Sequence, residues 1–235
     1  MNSERTSRPL WPRVIQWAIV LSLPVLLVTA DLRIVTSHWF VRWEYNKAGF
    51  PPDSFGLSIA ERTHLAEVCV DYLATHADIS LLANLRLPGG EPAFNERELR
   101  HMADVQAVYG RLMLAGLVAA LVAVGGMAAL LSTRRTRRYA AKALLSGGVL
   151  TLGLLLAVGA TMLLSWGEFF TTFHRVFFEG DSWIFPYSDT LIRLFPMRFW
   201  MDVAVLIVSL LSLASTATGV IGWIWMRRIG RRTGA

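Results

Sequence analysis

Four stretches of this chain stay apolar over many consecutive positions: Val14 to Ala30, Leu112 to Leu131, Ala143 to Leu164, and Val203 to Met226. A helix needs roughly 20 mostly apolar residues to cross a hydrocarbon layer about 30 Å thick, so each stretch predicts a membrane span, the first being the shortest. Between spans the pattern changes. After Ser58, residues Leu65, Cys69, Tyr72 and Leu73 recur at helical spacing. Ser58 with Glu61 also has the spacing of a capping box, so a surface helix is expected over 59–75. Asn95 with Glu98 marks a second helix start, and Leu99, Met102, Val105 and Tyr109 carry its apolar face toward the second span; one continuous helix over 96–131 is expected. Pro51-Pro52 and Pro88-Gly89-Gly90 read as turns. The pairs Gly125-Gly126 and Gly147-Gly148 lie in or near spans, where small residues let helices pack closely. The expected fold class is an all-α membrane protein of four transmembrane helices with a small, mostly helical extracytoplasmic domain.

Composition agrees with lipid: 54% of the 235 residues are hydrophobic and only 17% charged, and the mean hydropathy is +0.46, against about 25% charged in ordinary soluble domains. The net charge of +6 invites a nucleic-acid reading until the charges are divided by region. The N-terminus (Glu4, Arg5, Arg8, Arg13), the loop with Arg134, Arg135, Arg137, Arg138 and Lys142, and the tail with Arg227, Arg228, Arg231 and Arg232 hold twelve basic residues and one acid. Residues 31–104 hold seven basic and eleven acidic residues, and residues 165–202 three and five. Basic segments stay in the cytoplasm. The expected order is a cytoplasmic N-terminus 1–13, a first span 14–30, an exported segment 31–104, a second span 105–131, a basic cytoplasmic loop 132–142, a third span 143–164, an exported aromatic-rich segment 165–202, a fourth span 203–226 and a cytoplasmic tail 227–235. The charge is thus a sign of topology in a plasma membrane, with no nucleic-acid partner.

Leu-Val-Thr-Ala ahead of Asp31 resembles a signal-peptide cleavage site. A retained anchor fits better, because the apolar run is long for a signal and contains Trp17 and Pro24; Pro24 is expected to kink the helix. Cys69 is the single cysteine, which rules out an intramolecular disulfide and any disulfide oxidase that works through cysteine pairs. The first exported segment is too short to bury much core alone and is expected to lean on the helix bundle. The second carries twelve aromatic residues, among them Trp166, Phe173, Phe178, Trp183, Phe185 and Trp200. That density points to the headgroup level, as an aromatic belt with room for an acyl-chain groove.

All five histidines fall on the exported side. His101 lies eleven residues before Leu112 and His174 ten after Leu164, so if the adjoining helices continue, each stands about 15 Å beyond the apolar stretch, at the depth of lipid esters. Asp104 is one turn from His101, spaced to fix its tautomer. His38, His64 and His76 have no comparable setting and read as solvated or packing residues. His101, Asp104 and His174 with Glu168 or Asp181 have too generic a spacing to mark a metal site, and neither a serine elbow, a zinc helix nor a phosphate loop is present.

The runs Glu98-Leu-Arg-His101-Met-Ala-Asp104-Val, Phe173-His174-Arg-Val-Phe-Phe178, Trp183-Ile-Phe185 and Asp189-Thr-Leu-Ile-Arg193-Leu-Phe-Pro196-Met-Arg-Phe199-Trp200 resemble a bacterial membrane family, the lipoprotein intramolecular transacylases. Where that family often has lysine after the His-Met-x-Asp-Val run, this chain has Gln106. The resemblance implies an enzyme with no cofactor whose substrates are diacylated lipoproteins. It would move the sn-2 acyl chain of the N-terminal diacylglyceryl-cysteine to that cysteine's α-amine and leave a lyso-lipoprotein. His101 and His174 would be catalytic, as general base and acid and as oxyanion stabiliser in either assignment, with Asp104, Trp183, Asp189 and Arg193 supporting: Asp104 orienting His101, Arg193 binding a carbonyl or compensating charge, Trp183 lining the acyl path. A non-enzymatic scaffold or lipid sensor and a lipid-ester hydrolase remain alternatives.

Overall fold

The structure, a computed structural model, describes residues 9–180 and 182–233. Their helices are α1 (Trp11–Val35), α2 (His38–Tyr45), α3 (Ile59–Thr75), α4 (Ser80–Ala83), α5 (Glu96–Leu131), α6 (Arg137–Leu164), α7 (Trp166–Phe177), α8 (Thr190–Leu194) and α9 (Met197–Thr233). Helices α1, α5, α6 and α9 are each long and apolar enough to cross a membrane, which accounts for the four expected spans. In their most apolar windows only 11–28% of residues are buried, so most of those side chains point outward, an arrangement stable in lipid and not in water. Helix α1 continues unbroken past Ala30 with Pro24 inside it.

The chain divides into two compact units. The first comprises Met1–Val28, Ala115–Ala157 and Leu210–Ala235, and its described part is built on a core of Ile19, Val20, Leu130, Ala140 and Ala143. Glycines set its helix spacing. A Cβ on Gly148 would lie 2.6 Å from the Ser215 carbonyl oxygen, and one on Gly222 would lie 2.5 Å from the Leu145 nitrogen, so α6 and α9 meet backbone to backbone. Gly147 packs on Leu23 and Gly126 on Ile15 and Ile19, while Gly125 faces open space.

The second unit comprises Thr29–Leu114 and Val158–Ser209. Helix α3 starts at the expected capping box: the Ser58 hydroxyl accepts from the Glu61 N–H, and the Glu61 carboxylate accepts from the Ser58 N–H. The segment 31–104 obtains its core from the segment 165–202. Leu191 and Leu194 join Leu65, Cys69, Tyr72 and Met102 in one cluster, and Phe199 joins Phe40, Tyr45 and Ala66 in another. Polar ties seal the same seam. Glu98, 2% exposed, accepts from the Asn95 N–H at 2.8 Å through one carboxylate oxygen and from the Leu191 N–H at 2.7 Å through the other. The buried Arg193 forms a two-toothed pair with Asp53, at 3.1 and 2.9 Å. Arg62 donates to the Pro51 and Arg193 carbonyls, and the Tyr45 hydroxyl to the Leu194 carbonyl. Gln106 donates to the Tyr72 and Ala77 carbonyls, capping the end of α3 and thereby supplying a structural use for the residue that departs from the family pattern. Cys69 is free and buried, and burial pushes its thiol up into an unreactive range.

Helix α6 stops at Leu164, so the condition that the helix before His174 continues is not met. Ser165 takes an extended conformation (φ −158°, ψ 101°) and its hydroxyl accepts from the Glu168 N–H, starting α7 afresh. The cause is local: a serine three residues before a glutamate offers the backbone a cap in place of another helical turn.

Two outcomes test these contacts. Gly148→Ala forces a methyl group onto the Ser215 carbonyl and lowers the melting temperature in detergent, while Gly125→Ala leaves it unchanged or raises it; equal behaviour of the two would refute the close contact. Glu98→Gln turns an acceptor into a donor facing a buried N–H and costs about 1–3 kcal/mol, read as a lower unfolding temperature, whereas the exposed Glu96→Gln costs little.

Candidate active site

His101 stands in the second turn of α5, and His174 in the last turns of α7, outside the apolar spans. Their rings lie close together and almost parallel, with centroids 6.3 Å apart and planes inclined by 22°. Aromatic rings enclose the pair. Phe178 lies 5.0 Å from His101 and 5.6 Å from His174. Phe185 packs edge-on to His101 at 5.3 Å, Phe170 lies 4.2 Å from His174, and Trp183 covers His174 at 4.8 Å. Several rings expected to form a membrane belt are therefore walls of a site.

The helix fixes one tautomer. His174 Nδ1 lies 2.8 Å from the Phe170 carbonyl oxygen one turn back. A carbonyl only accepts, so Nδ1 carries the proton and Nε2 keeps its lone pair. Burial pushes the His174 imidazole below its usual range, partly opposed by that hydrogen bond. His101 is pushed down further, to about 4, by burial first and by the neighbouring His174 second. Both rings are therefore neutral at pH 7. His101 Nδ1 is buried without a hydrogen-bond partner, a condition that native proteins rarely leave without a use.

The supporting residues divide. Trp183 meets the site directly, with its indole N–H donating to the Gly180 carbonyl. Among the described residues no hydrogen bond joins Asp104 to His101, and the exposed Asp104 lines a separate cavity. One-turn spacing places two residues on one side of a helix, but here the imidazole turns into the aromatic box and the carboxylate does not. Arg193 is engaged by Asp53 through Nε and Nη2 and ties the α8 turn to the segment before α3. Asp189 accepts from Arg97 at 3.2 Å, joining the start of α8 to α5. Asp181 lies outside the described residues, and among those described no three ligand-type side chains converge as a metal site would need. His38 pairs with Asp71 at 2.8 Å, and His76 caps α3 in a left-handed conformation (φ 54°).

Sequence reasoning did not assign Glu98, Phe178 and Phe185 their roles, although all three lie in the runs that carry the family resemblance. Beside Phe178 opens a cavity of about 630 Å³ whose lining includes Arg97, Arg100, Asp104, Arg111 and Glu179.

Comparison with known proteins gives this arrangement a family. The chain is 31% identical over 214 residues to a protein of Aquifex aeolicus (strain VF5) known only as uncharacterized, an alignment covering 89% of this chain and 95% of that one. Among solved structures, the in meso structure of the membrane integral lipoprotein intramolecular transacylase Lit from Bacillus cereus matches with a TM-score of 0.76, covering 95% of this chain and 97% of that one at 20% identity. A variant of that protein with one histidine replaced by alanine matches at 0.73, covering 93% and 94%, also at 20% identity; at this identity the likeness is one of fold. The family model described as lipoprotein intramolecular transacylase Lit matches residues 15–200, and the chain accordingly belongs to the Lit family of membrane acyltransferases.

Proposed function

We propose that the chain moves the sn-2 acyl chain of an N-terminal diacylglyceryl-cysteine onto the α-amine of the same cysteine, on the exported face of a bacterial plasma membrane. The observation that carries this reading is the pairing of two neutral imidazoles, far apart in sequence, with ring centroids 6.3 Å apart inside an aromatic enclosure. The orientation rests on the charge distribution: the units of sequence that hold the histidines are acidic, and the basic termini and central loop are cytoplasmic.

The amine nitrogen attacks the carbonyl carbon of the sn-2 ester. His174 Nε2, the nitrogen left with a lone pair, takes a proton from the attacking amine and returns it to the glycerol oxygen as the carbon–oxygen bond breaks. The products are an amide and a free sn-2 hydroxyl. A neutral His101 stabilises the oxyanion by donating an N–H, which its environment leaves uncommitted. Because amine and ester belong to one molecule, alignment alone supplies effective molarities on the order of 10⁵ M or more. No acyl-enzyme nucleophile or cofactor is needed. Trp183 and the α7 rings accommodate the acyl chains.

Replacing either His101 or His174 with alanine should reduce N-acyl product by about 10²- to 10⁴-fold, followed by mass spectrometry of a synthetic lipopeptide; full activity in either variant removes that residue from the chemistry. The same assay separates transfer from hydrolysis, since a hydrolase releases free fatty acid instead.

The pH profile carries a second expectation. The substrate amine, with a pKa of about 7.7–8.0, makes log(kcat/KM) rise with unit slope below that value. A base whose pKa is depressed stays unprotonated as pH falls through 6.5, so the slope steepens to two only below 6.5. A steepening at or above 6.5 would contradict the buried, neutral state of His174.

A further inference from the structure

The cavity beside Phe178 has a mixed lining that includes charged side chains, unlike the aromatic enclosure it adjoins. Its wall on α5 carries Arg97, Arg100, Asp104 and Arg111, which follow one another at intervals of three, four and seven residues and so share a helix face. Arg97 is held by Asp189. Arg100 reaches the Glu96 carbonyl at 3.4 Å, and among the described residues neither Arg100 nor Arg111 has a carboxylate within ion-pair distance. Phe178 contacts both imidazoles and also lines this cavity, so the cavity begins one ring away from the site.

Taking the proposed reaction as its premise, this geometry gives the cavity an occupant. In the substrate, the carbon that bears the reacting amine also bears the carbonyl of the first peptide bond. The polypeptide therefore departs within a few bonds of the reacting atoms, and it cannot follow the acyl chains among apolar rings, where its N–H and C=O groups would go unpaired. We propose that the cavity receives the first residues after the lipidated cysteine, and that Arg100 and Arg111 select substrates with acidic side chains there. From Arg97 to Arg111 the face rises about 21 Å along the helix, and an extended peptide advances about 3.3 Å per residue, so roughly six residues lie alongside it. Asp104 and Glu179 offer acceptors to the peptide's N–H groups.

The test uses the full-length protein in detergent with diacylglyceryl lipopeptides that differ only in carrying two aspartates or two lysines after the cysteine and a serine. The expected ratio of kcat/KM, acidic over basic, is about ten-fold, the yield of two partly exposed ion pairs. It resides in KM and shrinks in 1 M salt, where the Debye length is about 3 Å. In the double variant Arg100→Glu with Arg111→Glu the ratio inverts, while Arg100→Lys with Arg111→Lys preserves it. Because each ratio is taken within one protein preparation, partial misfolding cancels. Equal rates for both peptides in the wild type, or a preference unchanged in the charge-reversed variant, overturn the proposal. So does a rate that follows phosphatidylglycerol content in vesicles rather than peptide charge, which assigns the arginines to a lipid headgroup. Absence of N-acyl product from every lipopeptide removes the underlying reaction instead, and the proposal with it.

Discussion

One carboxylate holds the second unit in the form the site requires. Glu98 begins α5 by accepting the Asn95 N–H and, with its other oxygen, accepts the Leu191 N–H from the start of α8. His101 follows less than a turn later on the same helix. Each oxygen meets a donor, so neither is left without a partner although almost no water reaches it, which is the condition under which a buried acid is tolerated. The Arg97–Asp189 pair repeats the connection at the periphery, and the Arg193–Asp53 pair ties α8 to the segment before α3. Helix α5 is thereby fixed against the segment that also contains Phe185 and Trp183, the rings that cover the two imidazoles.

The enclosure shapes the chemistry as well as the geometry. Aromatic faces remove water without offering strong hydrogen bonds, which disfavours charge on both imidazoles. A base that stays neutral below its usual range is available throughout the neutral region, and its conjugate acid, being relatively strong, gives up the proton readily to a departing alkoxide. Two imidazoles this close would repel if both were charged. The arrangement thus disfavours both imidazoles carrying a proton charge at once.

The sequence conveyed this fold unevenly, for identifiable reasons. The capping box at Ser58 and Glu61, the unbroken helix from Glu96 and the four apolar runs were legible because each depends on contacts within a few residues. The break at Ser165 was also legible in principle, since Ser165 and Glu168 have the spacing of Ser58 and Glu61; the apolar run before it obscured the signal. Gly125 and Gly126 are indistinguishable by type, yet only the second meets another helix. The contacts of Arg193 and Asp104 were not legible for a related reason. Spacing tells which helix face a residue occupies, but whether an arginine is free for substrate depends on Asp53, far away in sequence, and whether an aspartate meets a histidine depends on which way the imidazole turns.

In the proposed reaction, the aromatic lining of the enclosure favours passing the ester to an amine rather than to water. A hydrolase must hold a water molecule with a polar partner on each side, and Phe170, Phe178, Phe185 and Trp183 supply few such partners around the imidazoles. The substrate brings its own nucleophile, attached to the molecule that bears the ester, so excluding water costs the transfer nothing and suppresses its competitor. A serine or cysteine nucleophile would add an acyl-enzyme that has to be resolved, and with it a second chance for water to enter. In the proposed mechanism the two imidazoles suffice because the remaining reactive group arrives with the lipid.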